Sequence, residues 1–315
     1  MPRSLSQYDD SAEEPYPRRR RPSFRDDHDD LRTTRRRVGA ERHDRQGDEE
    51  GDGPPEGDRW STWADVVAGL RGPDPVPDWL VTSPAAVDHE RGILKTGKEA
   101  EVFLVERAVP DGPGCLLAAK RYRQADHRAF QRDAAYTEGR RVRRSRETRA
   151  MATRTAFGRD LIAQQWAAAE FAVLDRLWRA GAPVPYPVSL AGRELLLEFV
   201  GDPDGSAAPR LAQVRPTPGE LRDLWSQCVD AVVTMARLGY AHADLSPYNL
   251  LIHAGRLVVI DLPQAVDVVA NPRGPEFLHR DAVNVARWFT ARGHPVDSDE
   301  LTGLLLAEAG LAQGP

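Results

Sequence analysis

The chain has 315 residues, of which 41% are hydrophobic and 29% charged, and its formal net charge at pH 7 is -5. This length suits one large domain or two smaller ones with tails, and the apolar fraction can fill a sizeable core. The mild net charge argues against a protein that binds nucleic acid over its whole surface. No apolar run reaches the length that spans a bilayer, and the polar N-terminus does not resemble a secretory signal.

The two cysteines, Cys115 and Cys228, both lie in apolar surroundings. Free cysteine behaves as a small hydrophobic side chain, so we interpret both as buried thiols. Two such residues do not make a disulfide framework, and we therefore expect a reducing, cytoplasmic environment.

Residues 1–58 form a charged tail with Arg runs at 18–21 and 35–37, many acids and almost no aliphatic side chains. Such a segment buries too little apolar surface to offset the entropy of ordering it, so we predict disorder. A solvated tail is the simple interpretation. The alternative is that the Arg runs contact RNA or another acidic surface, although the interspersed acids weaken that attraction.

Residues 59–90 follow as an N-terminal extension. Apolar side chains at Trp60, Trp63, Val66 and Leu70 have helical spacing, which predicts a helical extension. The Pro-rich segment that begins at Gly72 then breaks the helix.

An extended pattern follows and predicts a strand-rich lobe over residues 91–200. One strand enters a tight turn at Gly97, a second leaves through residues 102–105, and a third covers residues 115–121. Residues 124–156 are polar and Arg-rich without a clean period, so we predict a flexible or partly helical insertion.

Later segments are mostly helical, and residues 201–315 are predicted to form a helix-rich lobe. Before them, residues 194–200 form an apolar strand. The predicted helices are 161–179, a helix that starts from the capping box at 217–220 and stops at Gly239, 276–292, and 298–309 with Ser298 as its N-cap. The predicted fold class is therefore α+β, with a strand-rich part and a helical part enclosing a site.

Lysine occurs only at positions 95, 98 and 120, and every other basic residue apart from histidine is Arg. Lys120 ends an apolar strand, where an unpaired ammonium group is costly to bury. Glu170 lies within the apolar stripe of the helix 161–179, so an ion pair between the two would satisfy both and aim the lysine at ATP phosphates. The alternatives are a Lys120 that reaches solvent at the strand end and a Glu170 at the solvated margin of the stripe.

The turn between the first two strands is a candidate phosphate loop. It contains Thr96, Gly97, Lys98 and Glu99, and a glycine there lets the backbone turn tightly and approach phosphate oxygens. It matches neither a full Gly-rich kinase loop nor a Walker motif, and an ordinary hairpin is the alternative.

The most specific signal is a loop, a hairpin and a second loop near the C-terminal end. Asp244 is followed five residues later by Asn249, then by a hairpin over residues 250–260, then by Asp261. In protein kinases and their relatives the first Asp accepts or orients the hydroxyl proton, and the Asn and second Asp hold the metal ions on ATP. We therefore predict a phosphotransferase with Asp244 as base and with Asn249 and Asp261 as Mg²⁺ ligands. His242 is expected to pack beneath the loop and bond to backbone.

These residues together resemble the RIO family of atypical protein kinases over about residues 75 to 292. The segments that carry the resemblance are 95–102, 119–120 with the long insertion after them, 166–171, 242–249, 260–266 and 276–285. The resemblance implies a two-lobed kinase fold, ATP with Mg²⁺ or Mn²⁺, and serine/threonine kinase or ATPase activity with self-phosphorylation. It also implies transient phosphorylation of Asp261 and, from relatives in small ribosomal subunit maturation, contact with ribosomal or RNA partners.

The resemblance also places a hinge at 198–201 whose backbone reads adenine. The predicted ATP-binding residues are Thr96, Gly97, Lys98, Glu99, Val102, Lys120, Glu170, Glu198 and Val200, and the predicted catalytic residues are Asp244, Asp261 and Lys120. The residue before the catalytic Asp is Ala243, where the family more often has Gly and where many protein kinases have Arg. We expect this change to be harmless, and we expect no activation-loop switch because only a short segment follows Asp261.

Two other functions fit parts of the pattern. A small-molecule phosphotransferase of the aminoglycoside or choline type shares the Asp-to-Asn spacing, but the short stretch 262–315 leaves little room for its substrate pocket. An assembly factor whose ATP state gates docking to RNA or protein is suggested by the Arg-rich tail and by the insertion.

Overall fold

The computed structural model of the chain describes residues 57–123 and 156–312. The predicted tail up to residue 56 and the predicted insertion from 124 to 155 lie outside the described residues. Within the described part, strands come first and helices predominate after them, so the α+β class is confirmed.

A six-stranded sheet forms the first lobe, with every neighbouring pair antiparallel. Its strands, in chain order, are β1 (Arg59–Trp60), β2 (Val87–Thr96), β3 (Ala100–Ala108), β4 (Gly114–Tyr122), β5 (Pro187–Ala191) and β6 (Glu194–Glu198). Their spatial order is β1-β2-β3-β4-β6-β5. The strands expected around Gly97 and over 115–121 are present.

The helices and short hairpins after the sheet share a common core with α1 (Ala156–Arg179), the helix that precedes β5. They are α2 (Pro218–Arg237), β7 (Tyr240–Ala241), β8 (Leu250–His253), β9 (Arg256–Val259), β10 (Val266–Asp267), α3 (Gly274–Thr290) and α4 (Ser298–Glu308), with a short 3-10 helix at Leu211–Gln213. A second 3-10 helix, Ala68–Leu70, lies between β1 and β2. Within the described ranges, no helix combines the length and the apolar character that crossing a bilayer requires.

The sheet buries both of its faces because alternate residues of a strand point to opposite sides. On β4, Leu117 and Ala119 pack with Trp63 in an outer cluster. Tyr122, on the other face, packs into the main core with Leu174 of α1. Lys120 shares the face of Tyr122, and the pairing of β4 therefore decides that its side chain meets α1.

The predicted helical extension is wrong. Residues 59–70 form only the two-residue strand β1 and one 3-10 helix. Trp63 is 8% exposed and packs on the outer face of the sheet, and Arg71 stacks on its ring at 5.5 Å. The Gly72 N–H donates to Val188 O at 2.9 Å. Contacts with the sheet therefore override the helical preference that the spacing suggested. Apolar residues three apart also suit an irregular segment that packs along a flat surface.

The helix termini follow the predicted signals closely. Thr217 and Glu220 form the expected capping box at the start of α2, with Pro218 in the first turn. The predicted cap of α4 is off by one residue, because the Asp297 carboxylate accepts from two backbone N–H groups and Ser298 is already helical. The lobe boundaries at 91 and 201 stay predictions.

Candidate active site

Lys120 and Glu170 form the predicted ion pair. Lys120 Nζ lies 2.7 Å from Glu170 Oε1, and the side chains are 9% and 1% exposed. The two alternatives, a Lys120 that reaches solvent and a solvated Glu170, are therefore wrong. Burial by itself lowers the pKa of Lys120, but the charges of Glu170 and Asp261 outweigh burial and raise that pKa above its ordinary value. The ammonium group therefore stays charged within the core.

Glu170 has two further donors, which connect α1 to both sides of the cleft. Its Oε1 accepts from the Leu262 N–H at 3.0 Å, and its Oε2 accepts a short hydrogen bond from the Tyr122 hydroxyl. Burial, together with the Glu170 charge, raises the pKa of Tyr122 well above its ordinary value, so the phenol remains a neutral donor. One carboxylate thus holds β4, α1 and the segment after β9 at fixed positions.

Asp261 receives an ammonium group on each carboxylate oxygen. Lys120 Nζ lies 2.8 Å from Oδ1, and Lys95 Nζ lies 3.2 Å from Oδ2. Burial opposes ionisation, yet the two lysines hold the pKa of Asp261 well below its usual range. The carboxylate is therefore ionised at neutral pH. Its backbone has a φ of 68°, a left-handed conformation that non-glycine residues adopt at a cost and that often marks functional sites.

Lys95 is a site residue that the sequence predictions left without a role. The register pairs Lys95 of β2 with Val102 of β3, and Val102 with Lys120 of β4. Residues paired across antiparallel strands share a face, so both lysines and Val102 lie in one row on the cleft side. Its identity, a lysine in a chain that otherwise uses arginine, pointed to the ATP site but not to Asp261 as its partner.

The loop that carries Asp244 is held from below by a buried carboxylate on α3. Asp281 is 3% exposed and accepts from the Ala243 N–H at 2.8 Å and the Leu245 N–H at 3.1 Å. Asn284 Nδ2 donates to Leu245 O at 3.1 Å. Asp244 lies between these anchored amides with its own side chain exposed. The sequence predictions gave Asp281 no role, although a carboxylate on the buried side of a helix is itself a signal.

Ala243 has a backbone conformation that glycine adopts more readily. Its φ is 67° and its side chain is fully buried. A left-handed residue that carries a Cβ is disfavoured by roughly 1–2 kcal/mol, which glycine avoids. The backbone conformation supplies a physical reason for a glycine at this position, and the expectation that the change is harmless stays a prediction.

The β8–β9 hairpin sets the distance between the two predicted metal ligands. β8 begins directly after Asn249, β9 ends two residues before Asp261, and the Ile260 N–H donates to Asn249 O at 2.9 Å. The hairpin turns at Ala254 and Gly255, as expected, and both residues have positive φ. Two positive φ values suit a right-twisted two-residue turn.

The side chains around the hairpin leave oxygen atoms available at the cleft. Asn249 Nδ2 donates to Asp244 O at 2.9 Å, which leaves the amide oxygen of Asn249 as an acceptor. His242 packs beneath the loop as expected, with Nε2 3.0 Å from Ile260 O. Ser246 takes part in the turn through its carbonyl, which accepts from the Asn249 N–H at 2.9 Å.

The donor set fits a magnesium ion that arrives on a nucleotide. Among residues 57–123 and 156–312, no group of three or more His, Cys, Asp or Glu side chains is placed to hold a metal. Asp261 and Asn249 supply one carboxylate and one amide oxygen. Mg²⁺ prefers this kind of site, with few protein oxygens, and takes its remaining ligands from phosphates and water.

The predicted phosphate loop is a tight turn whose lysine is exposed. The Gly97 N–H donates to Ala100 O at 2.9 Å, and a Cβ on Gly97 would lie 3.0 Å from that oxygen. A side chain at this position would crowd the Ala100 carbonyl, so glycine favours the close approach. Thr96 and Lys98 are exposed, and Glu99 is half-buried.

The predicted hinge, residues 198–201, lines a cavity apart from the lysines and aspartates described above. The Glu198 carboxylate accepts from the Tyr186 N–H at 3.0 Å, and burial raises the pKa of Glu198. That side chain lines a cavity of about 920 Å³ with Trp79 and Trp178, and the lining includes neither Lys120 nor the aspartates of the cleft. The Val200 carbonyl accepts from the Ala208 N–H at 3.0 Å.

Comparison with known sequences identifies the family. The sequence profile of the RIO domain matches residues 116–301. The chain belongs to the RIO family. The RIO-type serine/threonine-protein kinase Rio1 of Haloferax volcanii is 36% identical over 225 residues, which cover 71% of this chain and 71% of that protein.

Other similar proteins carry the same family name. The serine/threonine-protein kinase RIO3 of Bos taurus is 38% identical over 133 residues, 42% of this RIO chain and 25% of RIO3. Among solved structures, the Rio2 kinase–ADP/Mg²⁺–phosphoaspartate complex from Chaetomium thermophilum has a TM-score of 0.49 and 20% identity. That alignment covers 71% of this chain and 68% of the Rio2 chain. The predicted resemblance to RIO kinases is confirmed.

Proposed function

We propose that this RIO-family chain binds ATP with Mg²⁺ in the cleft between its lobes and transfers the γ-phosphoryl group to a serine or threonine hydroxyl of a protein. The observation that carries the proposal is the position of Lys120 Nζ, 2.7 Å from Glu170 and 2.8 Å from Asp261. A structural ion pair needs one carboxylate. An ammonium group shared between a buried carboxylate and a cleft-facing one is positioned to meet phosphate oxygens.

The roles of the side chains follow from their exposure. Glu170 is buried and holds Lys120, while Asp261 and Asn249 present oxygen atoms for the metal. Mg²⁺, when bound, neutralises phosphate charge and orients the group that is transferred. Asp244 is exposed on an anchored loop, where it can orient the acceptor hydroxyl and take its proton. The predicted nucleotide contacts at Gly97 and Val200 stay predictions, since the Gly97 N–H and the Val200 carbonyl have partners within the chain.

A protein acceptor is favoured over a small molecule. The relatives at 35–38% identity are named serine/threonine-protein kinases. The segment from Asp261 to α3 spans only residues 262–273, which leaves no room for a long activation segment. Self-phosphorylation and ATPase turnover belong to the same proposal, because each needs only the cleft already described.

Partners beyond ATP are proposed from the sequence. The Arg runs of the tail support contact with RNA or a ribosomal surface. A cytoplasmic site of action is supported by the free thiols of Cys115 and Cys228. Comparing Asp244→Ala with a deletion of residues 1–56 tests the assembly-factor alternative. If only the deletion abolishes the cellular effect, docking is the function and phosphoryl transfer is not.

Two measurements on the purified full chain test the proposal. Calorimetry should detect ATP binding that Mg²⁺ strengthens, and phosphosite mapping after incubation with labelled ATP, with and without lysate, should show new phosphoserine or phosphothreonine. Asp261→Asn should weaken binding or turnover by about 100-fold, whereas the nearby Ser246→Ala should change them little. A well-folded chain without affinity for adenine nucleotides, or equal losses in the two variants, would overturn the assignment.

A further inference from the structure

Lys95 has a contact that the proposed phosphoryl transfer does not require. The chain holds 43 lysines and arginines, of which only residues 95, 98 and 120 are lysine. Two of these three converge on the carboxylate of Asp261, one on each oxygen. Since Lys120 already supplies a cation to Asp261, the second ammonium group needs its own explanation.

The two lysines hold Asp261 in different ways. Lys120 is 9% exposed, contacts Asp261 at 2.8 Å and is tied to Glu170 as well. Lys95 is 37% exposed and contacts Asp261 at 3.2 Å, and Asp261 is its one side-chain partner within residues 57–123 and 156–312. Lys95 is therefore the ammonium group that can leave without exposing an unpaired buried charge.

The contact conflicts with the metal assignment of the same carboxylate. An ammonium hydrogen directed at Oδ2 occupies one of the two lone pairs of that oxygen, and its charge repels a metal ion that approaches the other. Mg²⁺ demands close, regular oxygen coordination, which a second cation on the same oxygen disfavours. A metal ion that binds Asp261 through Oδ2 therefore competes with Lys95 and weakens its contact.

We propose that Lys95 is a positioning residue that acts as a removable counter-ion. It occupies Oδ2 of Asp261 before the nucleotide binds, joins the end of β2 to the segment after β9, and competes with the divalent ion for that oxygen. This inference rests on the proposed function, because it requires Asp261 to be the metal ligand.

The use of lysine here supports a group that must leave. Arginine binds a carboxylate with a planar, often bidentate fork, and such pairs are stronger and more directional than those of an ammonium group. Arginine is the basic residue that this chain uses elsewhere, including the buried pair of Arg107 with Asp88 at 2.7 Å and 3.0 Å. The compact ammonium group of Lys95 satisfies Asp261 with a single contact that a metal ion can break.

The test measures metal binding rather than activity. Mn²⁺, which is visible by electron paramagnetic resonance, is titrated into the full chain saturated with a non-hydrolysable ATP analogue. Lys95→Met should tighten Mn²⁺ binding by about two- to five-fold, the range that an exposed ion pair supports. Lys95→Arg should weaken it, because the guanidinium holds Oδ2 more firmly. Arg91→Met is the control, since it removes a positive charge from the same strand, and Arg91 pairs with Glu106 and not with Asp261.

The outcomes distinguish a failure of the Lys95 proposal from a failure of the proposed function. Tighter Mn²⁺ binding in Lys95→Met than in Arg91→Met, with weaker binding in Lys95→Arg, supports the counter-ion role. If Lys95→Met and Arg91→Met behave alike, the role of Lys95 is refuted while the function stands. If Asp261→Asn leaves Mn²⁺ affinity unchanged, the metal assignment fails and both proposals fall. Thermal melting of each variant without nucleotide confirms that the chain is folded.

Discussion

Replacing Lys120 by methionine should separate the stability that the buried ion pair provides from its role in catalysis. The substitution keeps much of the side-chain volume but leaves the Glu170 carboxylate, 1% exposed, without a cation. Removing one partner of a buried pair typically costs about 3–5 kcal/mol. We expect the low end, about 3 kcal/mol, because Glu170 keeps the Leu262 N–H and the Tyr122 hydroxyl as donors.

The opposite substitution should be milder. In Glu170→Gln, Lys120 keeps the carboxylate of Asp261 at 2.8 Å and the cleft stays open to solvent on that side. The loss is then that of hydrogen bonds to a charged group, and we expect about 1–2 kcal/mol. The asymmetry follows from the contacts, because Lys120 has two anionic partners and Glu170 has one cationic partner.

Urea unfolding followed by fluorescence gives the free energy of unfolding for each variant. A double variant, Lys120→Met with Glu170→Gln, should regain part of the stability, because the neutral amide removes the unpaired buried charge while its oxygen can still accept from the Leu262 N–H or the Tyr122 hydroxyl. Its phosphoryl transfer should stay as low as that of Lys120→Met. The reasoning is refuted if Lys120→Met is as stable as wild type within about 0.5 kcal/mol, or if the double variant recovers turnover.

Three further outcomes test the loop, the sheet and the core. Asp281→Ala should lower turnover by about 10- to 100-fold, while calorimetric ATP affinity stays near wild type, because it frees the loop that carries Asp244. Burial by itself raises the pKa of Glu194, but its two arginine partners outweigh burial, and the net pKa is lowered. The ionised carboxylate therefore stabilises the fold at a pH above its usual pKa of about 4.3, and this stabilisation is lost as the pH falls. Glu194→Gln should therefore cost about 1 kcal/mol at pH 7 and less at pH 3 in urea melts. Burial raises the pKa of the half-buried Cys115 and raises that of the buried Cys228 to about 12. A thiol reagent at pH 8 should therefore label Cys115 slowly and Cys228 not at all in the native chain, and both cysteines rapidly in denaturant.

Several features of the site could be predicted because their causes are local in sequence. The hairpin between Asn249 and Asp261 follows from alternating apolar residues around a two-residue turn, and its length sets the distance between the two side chains. The capping box at Thr217 is equally local, since its two partners lie three residues apart. The pair of Lys120 and Glu170 was predictable for another reason, because each charge stood in an apolar pattern that demanded a partner.

Other features depended on the tertiary structure. The contact of Lys95 with Asp261 joins residues 166 positions apart and depends on an irregularity in β2 between Ile93 and Lys95. The spacing of apolar residues in the extension was misread as a helix because its partner, the outer face of the sheet, is distant in the chain. The sequence by itself determined the fold class, the ion pair and the hairpin between Asn249 and Asp261. Only packing in the tertiary structure decided that Lys95 is the second lysine at Asp261 and that Asp281 anchors the Asp244 loop. Contacts between distant segments leave no periodic pattern in the sequence of either segment.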